Sequence, residues 1–130
     1  MDTNRNRGLA PYVSLLVAAL LAASAGAARA DWSQRFPTNK PDGRSLHAMA
    51  CDQDNEEVVL FGGGAATTLG DTWAWDGDDW TRRQPVHSPG PRIGHAMTWF
   101  AGIHRIVLFG GKDSNTVSLA DTWTWTGTDW

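Results

Sequence analysis

Two histidines, His47 and His95, lie 48 positions apart in a 130-residue chain, each inside the same Arg-x-x-His-Ala-Met string. Two imidazoles on neighbouring strands are a fragment of a metal site. A repeat accounts for the pair without a metal, and the expectation is that each ring makes the same hydrogen bond within its own copy. His87 and His104 fall in a linker and a turn, and the four histidines make no ligand spacing. Asp76, Asp78 and Asp79 resemble part of a calcium loop, but Thr126 and Thr128 replace two of them in the second copy, so a turn is expected. Cys51 is the only cysteine, which excludes an internal disulfide. Its acidic neighbours Asp52, Asp54, Glu56 and Glu57 offer nothing to stabilise a thiolate, and a small buried strand residue is expected there. No nucleophile–base pair and no glycine-rich helix start stand out, so no catalytic residue, metal or cofactor is expected.

Eight tryptophans are the other chemistry-bearing load. Six of them form a repeated set, Trp73, Trp75 and Trp80 matching Trp123, Trp125 and Trp130, which implies packing, with indole N–H groups bonded locally. Trp99 stands where the first copy has Cys51 and is the tryptophan expected to face a ligand.

The elements that position these residues follow from one echo. Val58-Val59-Leu60-Phe61-Gly62-Gly63 returns as Ile106-Val107-Leu108-Phe109-Gly110-Gly111, a short apolar strand ending in a forced bend. Downstream, Asp71-Thr72-Trp73-x-Trp75-x-Gly77-x-Asp79-Trp80 recurs 50 positions on, as Asp121 to Trp130. The two-residue difference falls between the glycines and the Asp-Thr-Trp, where Gly64–Gly70 becomes Lys112–Ala120, and only a loop tolerates it freely. Lys112, Asp113, Ser114 and Asn115 in the longer loop join Trp99 as the expected ligand-binding residues.

Each copy reads as four short antiparallel strands. Ser45–Cys51 pairs with Val58–Phe61 across an acidic turn, Thr72–Trp75 is third, Asp76-Gly77 starts a hairpin turn, and Trp80–Arg83 is fourth. Asp31–Pro37 matches Asp79–Pro85 and reads as the last strand of a further repeat. The organisation expected is a leader at 1–30, a strand and linker at 31–43, one repeat at 44–85 and a second at 86–130 lacking its last strand.

Arg5 and Arg7, an alanine-rich apolar run and Ala28-Arg29-Ala30 have the order of a secretory signal peptide, which implies export to the periplasm or medium. Without that leader, 8 Lys and Arg face 13 Asp and Glu, an acidic balance with no basic stripe that argues against nucleic acid or anionic membrane as partner.

The double glycine after an apolar strand, together with the aromatic pairs Trp73/Trp80 and Trp123/Trp130, resembles the kelch repeat over Arg44–Trp130. The resemblance implies an all-β fold of β-propeller blades, Trp standing where the family often has Tyr. It also implies an incomplete ring, since a propeller has about four to eight blades. The chain therefore reads as an N-terminal piece, and one that self-associates through its Asp31–Pro37 strand if it stands alone. The fold also occurs in copper-radical oxidases, but their crosslinked tyrosine has no counterpart, as the only tyrosine is Tyr12. The function expected is an exported scaffold binding a protein or other ligand through its variable loops. The second reading is an exported carbohydrate-active enzyme resembling the kelch-fold sialic acid mutarotases, with its catalytic residues outside this stretch.

Overall fold

The computed structural model describes residues 32–130, and the leader expected at 1–30 lies outside them. Residues 35–130 form one compact unit of seven strands in two sheets. The first sheet has the order β1-β2-β3-β4, with β1 Ala48–Asp52, β2 Glu57–Gly64, β3 Thr68–Trp75 and β4 Trp80–Arg83. The second has the order β5-β6-β7, with β5 Ala96–Phe100, β6 Arg105–Phe109 and β7 Thr122–Trp125. Every neighbouring pair is antiparallel, and the strands follow one another in sequence order. These are two blade-like sheets, each a meander in which one hairpin leads to the next.

Alternation along each strand decides which residues meet. In the first sheet Ala50, Val59 and Ala74 stand across from one another, as do Phe61 and Thr72, so they share one face. Met49 aligns with Leu60 and Trp73, and Cys51 with Val58 and Trp75, on the other. The second sheet repeats the pattern and lays its Met97, Trp99, Ile106 and Trp125 face on the Ala50 and Val59 face of the first, with Trp130 at the edge. Val59 and Ile106 are both 0% exposed at this seam. Burying aliphatic side chains of that size contributes about 1.5–3 kcal/mol each.

Cross-sheet hydrogen bonds fix the register of the seam. Gly63 N–H donates to the Arg92 carbonyl at 2.9 Å, Arg92 N–H to the Leu69 carbonyl at 3.0 Å, and Gly94 N–H to the Leu46 carbonyl at 2.9 Å. Trp130 Nε1 donates to Thr72 Oγ1 at 3.0 Å, and its ring meets Phe61 edge-on with centroids 5.3 Å apart. At the hairpin end, His104 Nδ1 lies 3.0 Å from Asp54 Oδ1.

Five expectations need correction. Cys51 is exposed, because the second sheet packs on the opposite face of the first and the linker residues beside Met49 and Trp75 do not cover it. The strand expected at Asp31–Pro37 does not form over the described Trp32–Pro37, since a strand needs a neighbour for its ladder bonds. The third strand begins at Thr68 rather than Thr72: past an irregularity between Phe61 and Gly63, Gly63 pairs with Leu69 and Gly64 with Thr68, so most of the expected loop zips into sheet. The histidines make no matching hydrogen bonds, since His47 Nδ1 and both ring nitrogens of His95 are buried without a partner among the described residues. The indoles divide: Trp73 and Trp123 bond locally, Trp130 bonds across the seam, and the buried Nε1 atoms of Trp99 and Trp125 have no partner among the described residues.

Candidate functional site: the loop cleft between the sheets

A buried guanidinium pins both ends of each variable loop. Arg44 donates from Nη1 to the Gly62 carbonyl at 3.1 Å and forms a bidentate pair with Asp71 at 2.6 and 3.0 Å, while Trp73 Nε1 donates to the same carboxylate at 2.7 Å. Arg92 repeats every contact: its Nη1 donates to the Gly110 carbonyl at 2.9 Å, both its Nη atoms reach Asp121 at 2.7 Å, and Trp123 Nε1 completes the set at 2.7 Å. The carbonyl opens the loop and the carboxylate closes it, so the residues between can change in number while the ends stay fixed. Forked, planar donors suit this task in a way a lysine cannot. The repeat of Arg and Asp in fixed order was visible in the sequence; opposite charge at two repeated positions was the signal for the pair.

The electrostatics agree with the geometry. Burial alone would raise the Asp71 carboxyl, but hydrogen bonds from Arg44 and Trp73 and the Arg44 charge outweigh it and hold the group below its ordinary value. For Asp121 the hydrogen bonds from Arg92 dominate and keep the carboxyl well below the usual range. Both aspartates are ionised at neutral pH.

The pinned loops border a cleft of about 440 Å3, lined by Leu46, Gly64, Ala65–Thr68, Ile93 and Ser114. It brings together the loop of the first sheet, the start of the second and one residue of the longer loop. Its walls offer methyl groups, the Thr67, Thr68 and Ser114 hydroxyls and backbone groups, with no charged side chain. Leu46 sits on the rim at φ 55°, where its counterpart is Gly94 at φ 64°, so a bulky residue occupies the left-handed region that its repeat mate fills with glycine. Strain of that kind, about 1 kcal/mol or more, persists where the surroundings enforce it. Here the Leu46 carbonyl is held by the Gly94 N–H.

The expected ligand-binding residues separate into three settings. Ser114 lines the cleft. Asp113 builds the loop itself, accepting from the Asn115 and Val117 N–H groups at 2.8 and 2.9 Å, while Lys112 pairs its backbone with Ile93. Trp99 lies at the other end of the β5–β6 ladder, paired with Ile106 and packed on the seam between the sheets. The structure thus brings Ser114 to the cleft and leaves Trp99 in the packing. Leu46, Thr67, Thr68 and Ile93 were missed, and only the seven-against-nine loop contrast hinted at two of them.

A second hollow, of about 480 Å3, lies on the uncovered face of the first sheet, where Met49, Val58, Trp75 and Trp80 meet the linker residues Arg35, Pro37, Lys40 and Pro41. Its aromatic lining suggests a sugar platform. Its repeat counterparts Met97, Ile106, Trp125 and Trp130 are filled by the neighbouring sheet, so the hollow has the shape of a sheet-packing seat rather than of a separate ligand pocket. The linker is clamped in the same way in both copies. Asn39 N–H and Nδ2 donate to Asp79 at 2.8 Å each, as His87 N–H and Nδ1 meet Asp129 at 2.7 and 2.8 Å. Among the described residues no group of His, Cys, Asp and Glu is arranged to hold a metal ion.

No protein-family model matches the chain, and neither does any curated protein sequence. Solved structures do match. The structure of YjhT superposes with a TM-score of 0.56 at 15% identity over 72% of this chain, which spans 31% of that one. At that identity the likeness speaks for the fold alone, and with the two sequential antiparallel sheets it shows an all-β chain built as β-propeller blades.

Proposed function

We propose that this chain belongs to an exported kelch-type propeller scaffold that binds its ligand in the cleft between the loops of adjacent blades. The observation that carries the reading is the convergence of the two unequal loops on one cleft, while the residues pinning their bases are the same in both blades. A rigid frame with variable loops at one end is how scaffolds of repeated units vary specificity. An uncharged, hydroxyl-lined cleft of this size suits a neutral polar group, such as a sugar hydroxyl cluster or a peptide backbone, more than a phosphate or a metal. The arginines nearest to it are already paired with aspartate.

The test is backbone NMR of the labelled chain titrated with N-acetylneuraminate, glucose and a mixed peptide library. Shifts are expected at Ala65–Thr68 and Ser114, and Ser114→Trp, which fills the cleft, should abolish them. Perturbation confined to Trp75 and Trp80 would move the site to the hollow on the first sheet and overturn the reading. Export is checked separately: mass spectrometry of the exported protein should find Asp31 as its first residue. The enzymatic alternative, with its catalytic residues outside this stretch, requires the protein that contains this chain to accelerate interconversion of sugar anomers, and the scaffold reading expects no acceleration.

A further inference from the structure

Three glycines end β2, and the fold requires only two of them. Gly62 and Gly63 stand at φ 61° and 103°, and a Cβ on them would lie 2.8 Å from the Arg92 carbonyl oxygen and 2.9 Å from the Ser45 carbonyl oxygen respectively. Gly64 has neither reason. Its φ is outside the left-handed region, and beyond its chain neighbours the one described atom that a Cβ there would meet within 4 Å is Ile93 Cγ2, at an ordinary contact distance of 3.4 Å.

The second blade shows that a side chain fits. Gly64 bridges Ser45 on one side and pairs with Thr68 on the other, and its counterpart Lys112 bridges Ile93 and Ser118 at the matching positions. The bonds agree as well: Gly64 N–H donates to the Ser45 carbonyl at 2.8 Å and Ser45 N–H to the Gly64 carbonyl at 2.9 Å, against 2.9 Å for both bonds between Ile93 and Lys112. One backbone setting thus carries a lysine in one blade and no side chain in the other. Glycine inside a strand weakens it, and where no turn or crowding demands the residue it marks a close approach by something else. Gly64 and Ile93 both line the loop cleft, so the space that a Cβ would fill is cleft space. Ala65 and Ala66 extend the same bare wall, with nothing larger than a methyl group.

With the loop cleft as the binding site proposed above, on which this rests, we infer that Gly64 sets its specificity and that its occupant is a neutral saccharide, a C–H face of the ring lying on the Gly64–Ala66 wall. A peptide adding itself as a strand is disfavoured here, because the N–H and carbonyl of Gly64 are taken by Ser45 and Thr68 flanks the other side. What Gly64 leaves open is the face of the sheet, which presents C–H groups. A sugar ring has the complementary build, with apolar C–H faces and hydroxyls around its rim, and the hydroxyls of Thr67, Thr68 and Ser114 can both donate to and accept from such a rim. No charged side chain lines the cleft to pair with a carboxylate or phosphate, which is why the ring is a neutral one.

The test is backbone NMR of the labelled chain and of Gly64→Ala and Gly64→Val, each titrated with glucose, galactose, mannose and a mixed peptide library, with a thermal melt of every variant. In the unaltered chain a hexose should give saturable shifts at Ala65–Thr68 and Ser114. Gly64→Ala should weaken that binding about tenfold, the usual effect of one methylene of misfit in a packed site, and Gly64→Val should abolish it. Neither variant should melt below the unaltered chain, since a side chain at a compatible strand position restricts the unfolded state. Hexose shifts at the cleft that Gly64→Ala leaves unchanged overturn the role of Gly64 and leave the cleft reading standing. Shifts there with the peptides and none with the sugars overturn the saccharide assignment alone. A Gly64→Ala chain that melts well below the unaltered one also overturns the inference, because glycine is then required by the fold. No shift at the cleft with any probe overturns the inference and the cleft reading together.

Discussion

The same strand sequence has two fates in the two blades. Val58-Val59-Leu60-Phe61 has three of its four residues fully buried, whereas in Ile106-Val107-Leu108-Phe109 burial alternates and Phe109 lies open. Trp125 is 1% exposed, and its counterpart Trp75 is only half-buried. The hydrogen-bond registers of the paired strands are nevertheless alike, with Ala48↔Phe61 matched by Ala96↔Phe109 and Leu60↔Trp73 by Leu108↔Trp123. Local sequence therefore builds the sheet, while the neighbouring blade decides which of its faces becomes core. That division of labour is expected of repeats whose single units cannot bury their own faces.

The sharpest way to break the comparison is to truncate the matched phenylalanines. Phe61→Ala should cost about 3–5 kcal/mol, the loss expected for a fully buried aromatic. Phe109→Ala should cost no more than about 0.5 kcal/mol in dilute protein, as an exposed position does. Urea unfolding of both variants measures the difference, and equal losses would mean that the blades are finished in the same way.

Next come the loop pins. Asp71→Asn leaves Arg44, 4% exposed, without its counter-charge and should cost about 3 kcal/mol. Asp121→Asn should cost less, because that carboxylate is 41% exposed and water can replace it. Both carboxyls titrate below their unfolded value, so the stability they contribute is present above about pH 4 and is lost as pH falls below it. Thermal melts below pH 4 should therefore fall more steeply for the unaltered chain than for the double Asn variant.

The glycines at the loop entrances come third. Gly63 at φ 103° and Gly111 at φ 94° would each place a Cβ within 3.0 Å of a neighbouring histidine Cβ, so Ala at either should cost more than about 1 kcal/mol. Substitutions at Ala66 or Asn115, on the exposed loops, should stay within about 0.5 kcal/mol. A loop substitution that unfolds the chain, with the glycine variants unaffected, would reverse the assignment of frame and loop.

The smallest effect belongs to His95. Burial, reinforced by the charge of Arg92, lowers its affinity for a proton. The neutral ring is the one that fits, so its contribution is complete above about pH 6.5 and declines as pH falls below that value. His95→Gln should flatten the dependence of Tm on pH between about 7 and 5.

How far the fold was legible follows from the same contrast. β4 occupies the expected Trp80–Arg83, and the hairpins fall where Asp-Gly and the acidic turn put them, because turn chemistry and alternation are local signals. Cys51 was misjudged because its burial depends on a neighbouring sheet that its own strand cannot announce. Trp99 shows the converse: it packs on the seam between the sheets, whereas Cys51, at the matching position of the first copy, is exposed on the outer face. The cleft was only half legible, since the unequal loops were plain while Leu46 and Ile93 enter it through the packing of one blade on the next.

A double-mutant cycle on the seam tests the blade account most directly. Phe61→Leu and Trp130→Leu, singly and together, should reveal a coupling of about 0.5–1.5 kcal/mol in urea unfolding of dilute protein, as edge-on aromatic pairs do. The matched cycle with Phe109→Leu and Trp80→Leu should be additive in the same dilute protein, because within one copy those rings belong to opposite outer faces. Additivity in the first cycle, or equal coupling in both, would contradict the claim that the blades are alike in sheet and unlike in face.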